Sequence, residues 1–341
     1  MSKTYVVLGG GGSFGLATSK YLLDHGAEHV IGVGRSHPKL DYFTLGVGRG
    51  DPRYEYWSYH IGYEFDLFVS KLYKELWYGI EGCTIINFAA QGEGATSYKH
   101  SWRYFDTNCT ALIRLCEWLG QHWWYGGRRV GHFIHIGSSE VYGSATGAAF
   151  TEDSPLRPTS PYAVSKAAFD QYLLTLKDFP FTIIRPSNCY GPGQQLHRLI
   201  PKAVLCGLLG RKLPLHGGGY AEKSYIHTRD LASAISLVAN RYEGGGQVHG
   251  VFNVGPRGPT AIRTIVGMVA DILGIPFEQL CEVTEDRVHQ DKRYWLDSSK
   301  IRALGWEPKI DWHEGLTEMV DWGRKYLPQL SKLPTEFVMR A

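Results

Sequence analysis

The first half of the chain alternates short runs of β-branched and aliphatic residues with longer segments whose apolar residues recur at helical spacing. The short runs predict buried strands, and the longer segments predict amphipathic helices. Such alternation predicts an α/β fold built on a doubly wound parallel sheet with right-handed crossovers. The predicted strands are 4–8, 29–33, 54–60, 84–88, 130–136 and 181–185, and the predicted helices are 13–25, 64–77, 101–119 and 160–176.

Beyond Pro186 the pattern changes, because glycines and prolines become frequent and the apolar runs become shorter. Gly191, Pro192 and Gly193, for example, are consecutive. These loops predict a smaller C-terminal α/β lobe that interleaves with the sheet domain and ends in a helix near 316–326. We expect the sheet domain to comprise residues 1–187 and 225–255, and the lobe to comprise residues 188–224 and 256–335.

Composition limits the possible functions. Of the 341 residues, 43% are hydrophobic and 20% are charged, which is typical of a globular protein and excludes a mainly disordered chain. The 36 basic and 33 acidic residues leave a net charge of +3, too small to indicate nucleic-acid binding. No apolar stretch approaches the ~20 residues that span a bilayer, and the N-terminus does not resemble a signal peptide, so no membrane partner is expected. The six cysteines show no metal-ligand spacing, which predicts no metal site, reduced thiols and a cytoplasmic location.

Glycines crowd the turn between the first predicted strand and the first predicted helix. Gly9, Gly12 and Gly15 fit the pattern G-x-x-G-x-x-G. A tight turn of this kind brings backbone N–H groups and a helix N-terminus against a pyrophosphate. Because the motif stands between a strand and a helix, it predicts dinucleotide binding in a Rossmann domain and not merely a flexible connection. The residues predicted to bind the cofactor here are Gly9, Gly12, Ser13, Phe14 and Gly15.

The end of the second predicted strand bears on the choice between the two nicotinamide cofactors. An acidic residue at that place binds the ribose 2′-hydroxyl of NAD. Here Gly34 takes the position, and Arg35 with Ser36 can hold the 2′-phosphate of NADP. The cofactor is therefore predicted to be NADP or NAD, with NADP favoured. The alternative is that Arg35 only stacks on the adenine or faces water.

Tyr162 and Lys166 are four residues apart near the start of a predicted helix, so their side chains share one face. A free tyrosine is a poor base at neutral pH because its pKa is ~10. A neighbouring ammonium group and a positive nicotinamide favour the phenolate, so we expect the pKa of Tyr162 to be lowered. The phenolate can then take a proton from a sugar hydroxyl while hydride leaves the same carbon. Ser138, which follows a predicted strand, is expected to hydrogen-bond the same oxygen.

Further motifs accompany the glycine turn: NFAA at 87–90, Asn108, SSEVYG at 138–143, SPY at 160–162, RP at 185–186 and LGW at 304–306. With them the chain resembles the extended short-chain dehydrogenase/reductase family over almost its whole length. The resemblance implies nucleotide-sugar substrates and a catalytic set of Ser138, Tyr162 and Lys166. It also implies that Ala89, Ala90, Tyr162 and Lys166 contact the cofactor, together with His60, which replaces the acid usual near the adenine.

Within this family the chain is most similar to the nucleotide-sugar 4,6-dehydratases, because residues 188–192 and 199–201 have the spacing of their sugar-phosphate loop. The resemblance implies that C4 of the sugar is first oxidised to a ketone. Glu140 then removes the C5 proton, the C6 hydroxyl leaves as water, and hydride returns to C6. The residues that the resemblance assigns to the nucleotide diphosphate are Asn188, Arg198, Lys223, Arg287 and Arg293.

Ser139 departs from the glucose-type dehydratases, in which an aspartate at this position protonates the leaving hydroxyl. Because a serine hydroxyl is not a usable acid at neutral pH, Glu140 is expected to serve as base and acid, with Ser139 beside it in the catalytic set. The order Ser-Ser-Glu is similar to the Thr-Ser-Glu of GDP-mannose dehydratases, whereas the diphosphate loops are more similar to the dTDP-glucose type. The nucleotide therefore stays open.

The nearest alternative is a nucleotide-sugar 4-epimerase, which needs only C4 oxidation and its reversal and gives Glu140 no role. A decarboxylase is a weaker alternative, and a non-catalytic cofactor-bound sensor or scaffold is an alternative from another class. By resemblance, the helices at 101–119 and 160–176 form a four-helix contact in a homodimer. Their apolar residues are equally suited to the core of one chain.

Overall fold

The computed structural model of the chain describes residues 3–35, 41–44, 46–48, 50–78, 83–94, 96–121, 131–145, 147–246, 248–285 and 293–337. Within these ranges, no helix combines the length and the apolar character that crossing a bilayer requires. Two of the predicted site residues, Ser36 and Arg287, lie outside the described residues.

Seven parallel strands form the central sheet, each preceded or followed by a helix as the alternation predicts. They are β1 (Thr4–Leu8), β2 (His29–Gly34), β3 (Tyr54–Ser58), β4 (Thr84–Asn87), β5 (His132–Ile136), β6 (Phe181–Pro186) and β11 (Gly250–Val254). Their order is β11-β6-β5-β4-β1-β2-β3. The order reverses between β1 and β4, and ligands bind at such a reversal, beyond the carboxyl ends of the strands. The predicted fold class is confirmed, although β3 is two residues shorter than predicted, ending at Ser58 instead of residue 60.

Shorter strands lie outside the central sheet, in the C-terminal half. They are β7 (Asn188–Tyr190), β8 (Leu213–His216), β9 (Glu222–Lys223), β10 (Tyr225–His227), β12 (Thr260–Ala261), β13 (Cys281–Thr284) and β14 (Arg293–Tyr294). The helices of the chain are α1 (Ser13–Asp24), α2 (Asp41–Thr44), α3 (Phe65–Tyr78), α4 (Ser101–Phe105), α5 (Ala111–Leu119), α6 (Pro161–Thr175), α7 (Leu199–Leu208), α8 (Thr228–Glu243), α9 (Ile262–Leu273), α10 (Phe277–Leu280), α11 (Ser299–Arg302), α12 (Trp312–Lys325) and α13 (Leu327–Leu330).

The alternation of side chains along β1 divides the core into two layers. Val6 and Leu8 face the layer that contains α3, α5 and α6, whereas Tyr5 and Val7 face the layer that contains α1 and α8. All four side chains are buried, which is typical of a parallel strand covered on both faces. Because both faces of the sheet are covered by helices, the ends of its strands are left for binding a ligand.

The predicted helix 101–119 is interrupted by one π-helical turn, Asp106–Thr110, between α4 and α5. A π-turn adds one residue to the turn and is frequent at functional sites. Here it carries Asn108 into the interior, where the side chain is fully buried. The periodicity of the sequence predicts the helix but does not reveal the extra residue.

The C-terminal lobe has its own core, between α7, α9 and α12. Val204, Val266 and Met319 are fully buried there. Short strands connect the elements of the lobe: β7 pairs with β10, β8 pairs with β13, and β9 lies between β12 and β14. The lobe thus presents short strands and their connecting loops, on which several of the predicted substrate residues stand.

Candidate active site

The glycine turn after β1 leaves no room for a side chain at Gly9 or Gly15. Gly9 has φ +76°, and a Cβ there would lie 2.8 Å from the backbone N of Ala89. A Cβ on Gly15 would lie 2.5 Å from the carbonyl oxygen of Gly9. Gly12 is the N-cap residue of α1 and adds no side chain to the helix end. The first N–H groups of a helix have no intrahelical acceptor, so this turn fits the pyrophosphate of a dinucleotide.

The ends of β2 and β3 bring Arg35, Tyr56 and His60 together. A Cβ on Gly34 would lie 2.5 Å from the Tyr56 hydroxyl, so Tyr56 occupies the space in which an acidic side chain at position 34 would begin. Burial and the positive charge of Arg35 lower the pKa of His60. The Nδ1 atom of His60 accepts from the backbone N of Gly62 at 3.1 Å. His60 is therefore a neutral ring at the sheet edge.

The loop after β4 is fixed by Asn87. Its Oδ1 atom accepts from the backbone N of Ala89 at 3.1 Å, and its Nδ2 atom lies 3.0 Å from Nδ1 of His135. Ala89 is thereby held against the glycine turn, since its backbone limits the space at Gly9, and Ala90 follows it in the chain. The structure brings these predicted cofactor residues to one end of the sheet.

Three of the predicted catalytic side chains converge. Ser160 caps α6 by accepting from the backbone N of Ala163 at 3.2 Å, and this places Tyr162 in the first turn of the helix. Ser138 accepts from the backbone N of Glu140 at 3.2 Å and also forms a side-chain hydrogen bond with Tyr162. Ser139, buried between Ser138 and Glu140, starts a short 3₁₀ turn. A hydroxyl, a phenol and a carboxylate therefore meet at one place.

The pKa of Tyr162 is not lowered but raised, because burial and the negative charge of Glu140 both disfavour the phenolate. The expectation of a lowered pKa is wrong for this arrangement. The reason lies in the position of the ammonium group: Lys166 donates its hydrogen bond to the carbonyl oxygen of Ile136 at 2.7 Å. The cation is thus anchored to the sheet, while Glu140 faces the phenol.

Lys166 is buried above a group of charged residues. Burial lowers its pKa to about 8, and the carboxylate of Asp170 opposes that change. Asp170 accepts from Arg185 at 2.8 Å, and Arg185 donates to the hydroxyl of Tyr142 at 2.8 Å. His135 lies 3.5 Å from Asp170, but this distance is too long for a hydrogen bond, and burial lowers the pKa of His135 so far that the ring is neutral. Among these residues, Asp170 therefore has two charged neighbours, the ammonium group of Lys166 and the guanidinium group of Arg185.

The predicted substrate residues fall into two groups. Arg198 joins the catalytic cluster, because its Nη1 atom is 3.2 Å from the carboxylate of Glu93 and its charge acts on Tyr162. Lys223 and Arg293 stand on neighbouring strands of the lobe, where the Lys223 ammonium is 3.8 Å from the centre of the Tyr294 ring and Arg293 is 2.9 Å from Glu222. Asn188 begins β7 and donates its backbone N to Ser224 at 3.1 Å.

Two residues of the site, Asn108 and Glu93, were not predicted from the sequence to belong to it. Asn108 is a family marker, and its side chain accepts from the backbone N of Gln91 at 2.8 Å and donates to Ser165 Oγ at 3.0 Å. Glu93 reaches the site from the loop after β4. Its only signal in the sequence is its place between Gly92 and Gly94, which by itself indicates a loop and no more.

Comparison with known proteins places this arrangement in a family. Residues 5–255, more than half of the chain, match the family model described as "NAD dependent epimerase/dehydratase family". The chain belongs to this family. The epimerase/dehydratase family match runs from β1, through the glycine turn and the tyrosine–lysine helix, to the end of β11.

Similar members are nucleotide-sugar dehydratases. The dTDP-D-glucose 4,6-dehydratase of Mus musculus is 33% identical over 252 residues, which cover 71% of this chain and 67% of the mouse protein. A trifunctional UDP-glucose 4,6-dehydratase/3,5-epimerase/reductase of Arabidopsis thaliana is 31% identical over 70% of this chain. The match covers 36% of the plant protein, so the chain spans about a third of that relative's length. The solved structure of DesIV, a dTDP-glucose 4,6-dehydratase from Streptomyces venezuelae with NAD and TYD bound, is 30% identical, with a TM-score of 0.81 over 94% of this chain and 97% of DesIV.

These comparisons confirm the predicted family and the similarity to nucleotide-sugar 4,6-dehydratases. They do not support the predicted preference for NADP, since the family is described as NAD dependent and DesIV was solved with NAD. An arginine at the end of the second strand is thus a weak signal for a 2′-phosphate.

Proposed function

We propose that this chain is a nucleotide-sugar 4,6-dehydratase. The observation that carries the proposal is the position of Glu140, whose negative charge acts on the phenol of Tyr162 and which therefore lies near it. A 4-epimerase needs only C4 oxidation and its reversal, so it has no use for a base at this place. A dehydratase needs such a base for the C5 proton. The dTDP-glucose and UDP-glucose dehydratases among the relatives support the same reaction.

We assign the steps before water loss to a small set of side chains. Tyr162, hydrogen-bonded to Ser138, takes the proton of the C4 hydroxyl as C4 becomes a ketone. Lys166, four residues along α6 from Tyr162, is cationic below its pKa of about 8, and we assign it to favour the phenolate during this step, although its own hydrogen bond goes to Ile136. The ketone acidifies C5, and Glu140 removes the C5 proton so that the C6 hydroxyl can leave. The catalytic part of Ser139 stays a prediction.

The cofactor that we propose is NAD, as in the solved relative DesIV. When bound, its nicotinamide supplies the hydride acceptor for C4 and the hydride donor for C6. The glycine turn and the N-terminus of α1 suit its pyrophosphate, because added Cβ atoms would meet backbone there. The residues that would hold the cofactor are Gly9, Gly12, Ser13, Phe14, Gly15, Arg35, His60, Ala89, Ala90, Tyr162 and Lys166; Ser36 stays a prediction.

The nucleotide diphosphate would be held mainly by the lobe. A diphosphate requires cations and hydrogen-bond donors. Arg198, Lys223 and Arg293 offer the cations, and Asn188 at the start of β7 offers a side-chain amide. The proposed division of labour gives residues 1–187 and 225–255 to the dinucleotide. It gives residues 188–224 and 256–335 to the nucleotide sugar.

We also propose a homodimer and a cytoplasmic location. Trp102 on α4 and Val164 on α6 are 60% and 39% exposed, so apolar side chains remain uncovered on the two helices that the family resemblance assigns to a dimer contact. The six cysteines are unpaired, which is typical of proteins from a reducing compartment.

The proposal is tested by mass spectrometry of products. Purified chain with added NAD is incubated with dTDP-glucose and with UDP-glucose, and we expect a product lighter by one water from at least one of them. Tyr162→Phe should reduce the rate at least ~100-fold, which is typical for loss of an acid–base group. A product of unchanged mass but inverted C4 would identify an epimerase, and no change with any nucleotide sugar would contradict an enzymatic role.

A further inference from the structure

A second carboxylate lies beside the catalytic cluster. Glu93 is 83% buried, and its Oε2 atom is 3.2 Å from Nη1 of Arg198 and 3.4 Å from Nε2 of His197. The charges of Glu93 and Glu140 both disfavour ionisation of Tyr162. Both carboxylates therefore act on the same phenol.

The loop that carries Glu93 is held at several points. Asn108 accepts from the backbone N of Gln91 at 2.8 Å and donates to its carbonyl oxygen at 3.1 Å. The Tyr104 hydroxyl donates to the carbonyl oxygen of Glu93 at 2.9 Å. The loop is therefore a fixed part of the site, although it has no regular secondary structure.

The same loop passes directly beside the base. A Cβ on Gly94 would lie 3.2 Å from Oε2 of Glu140, so the backbone that follows Glu93 is in near contact with the Glu140 carboxylate. Arg198 is tied to this loop as well, since its guanidinium donates to the carbonyl oxygen of Gly92. Two carboxylates and one arginine are thus brought together from β4, β5 and α7.

Water elimination requires an acid as well as a base. Sequence alone left both roles to Glu140, because the hydroxyl of Ser139 is too weak an acid at neutral pH. A second carboxyl group beside Glu140 can instead protonate the departing C6 oxygen while Glu140 takes the C5 proton. We propose, on the basis of the dehydratase function proposed above, that Glu93 is the acid that protonates the leaving hydroxyl. Glu93 would supply the acid that Ser139 does not provide.

The proposed step balances. The C5–H bond breaks, its proton passes to Glu140, and its electron pair forms the C5–C6 double bond conjugated with the C4 ketone. The C6–O bond breaks with its electron pair on oxygen. The carboxyl O–H of Glu93 gives its proton to that oxygen, so that water leaves and Glu93 becomes a carboxylate. No oxidant or further reactant is needed.

Arg198 controls how readily Glu93 takes up a proton. His197 also lies beside Glu93, with its Nε2 atom 3.4 Å from Oε2, but the two atoms are not hydrogen-bonded. Arg198 is the cation that favours the charged carboxylate, and it is also a residue that the family resemblance assigns to the substrate. A diphosphate that binds Arg198 removes a counter-ion from Glu93, which favours protonation of the carboxyl group. Substrate binding thus prepares the acid for its step.

The test separates proton removal from water loss in the chain with NAD bound. In deuterated water with dTDP-glucose or UDP-glucose, Glu93→Gln should still exchange the C5 proton through Glu140. Its release of the dehydrated product should fall at least ~100-fold, as is typical for a lost general acid. Glu140→Gln should lose both reactions. Glu93→Asp, which keeps a carboxyl group, should dehydrate faster than Glu93→Gln.

The matched control is Glu314→Gln, because Glu314 is also an ion-paired carboxylate, 2.6 Å from Arg229, and belongs to α12. It should dehydrate at the wild-type rate. Glu93→Gln dehydrating at the wild-type rate would overturn the proposal, and so would equal losses of exchange and dehydration, which indicate a positioning role. Failure of the proposed function is distinguishable, because then the wild-type chain itself releases no dehydrated product.

Discussion

Lys166 has to stay charged while it is buried, and its neighbours decide whether it does. Burial lowers its pKa to about 8, which removes most of the margin by which a lysine is normally protonated at neutral pH. Asp170 supplies the opposing negative charge and is itself balanced by Arg185 at 2.8 Å. A buried charge whose partner is removed is costly, so these three residues act as one unit.

The Asp170→Asn variant should shift the alkaline limb of the pH profile. Removal of the carboxylate lowers the pKa of Lys166 further below about 8, because Asp170 is the group that raises it. Activity needs the charged ammonium, so it is lost as pH rises through that pKa. In the variant this loss should occur at a lower pH than in the wild type. The pH dependence of kcat/KM measures the shift, and the pH dependence of NAD affinity gives an independent reading.

A buried aspartate far from Lys166 in sequence provides the control. Asp230 accepts from the backbone N of Lys309 at 2.8 Å and is also buried, 3% exposed against 0% for Asp170. Asp230→Asn should lower stability but leave the alkaline limb where the wild type has it. An unchanged limb in Asp170→Asn, or an equal shift in both variants, would contradict the role given to Asp170.

The turn from β1 into α1 leaves almost no room for substitution of Gly9 or Gly15. Gly15→Ala places a Cβ 2.5 Å from the carbonyl oxygen of Gly9. Because that oxygen belongs to the backbone, it cannot rotate away as the end of a side chain can. We expect NAD affinity to fall at least ~10-fold and stability to fall by about 1–3 kcal/mol, the usual cost of overpacking. Titration of NAD by protein fluorescence and urea unfolding measure the two effects.

Gly267 in α9 offers a matched glycine-to-alanine control, because a Cβ there meets no atom within 4 Å. Gly267→Ala should raise stability by about 0.5–1 kcal/mol, the difference in helix propensity, and leave NAD affinity unchanged. If Gly15→Ala bound NAD as tightly as Gly267→Ala does, the turn would not be the place where the pyrophosphate binds.

Elements with strong periodicity were predictable, and side-chain contacts across the chain were not. The strand–turn–helix at β1 and α1 combines a short apolar run, glycines and an amphipathic segment, so local sequence determines it. The π-turn around Asn108 adds one residue to a helix without changing its composition, so no period reveals it. The contact between Glu93 and Arg198 joins residues more than a hundred positions apart.

At the scale of the whole molecule, a buried chain of hydrogen bonds connects the catalytic turn with the edge of the sheet. Arg185 on β6 donates to Tyr142, and the Tyr142 hydroxyl donates to Asn253 on β11 at 2.9 Å. The backbone N of Asn253 donates in turn to Glu152 at 2.7 Å. Residues of the catalytic segment are thus positioned by two strands that follow it in sequence, and the family match extends to the end of the second of them, β11.

The exposed apolar side chains of α4 and α6 mark the face on which the proposed dimer would form. Trp102 is 60% exposed, although a tryptophan ring is costly to leave in water, so a second copy on this face would bury it. Trp102→Glu should convert a dimer into a monomer without unfolding it, because the side chain contributes little to the core of one chain. Light scattering after gel filtration measures the mass, and circular dichroism checks the fold. Tyr220→Glu, at a 73% exposed aromatic in the lobe, should remain dimeric. A monomeric wild type, or a dimeric Trp102→Glu, would show that this face does not hold two copies together.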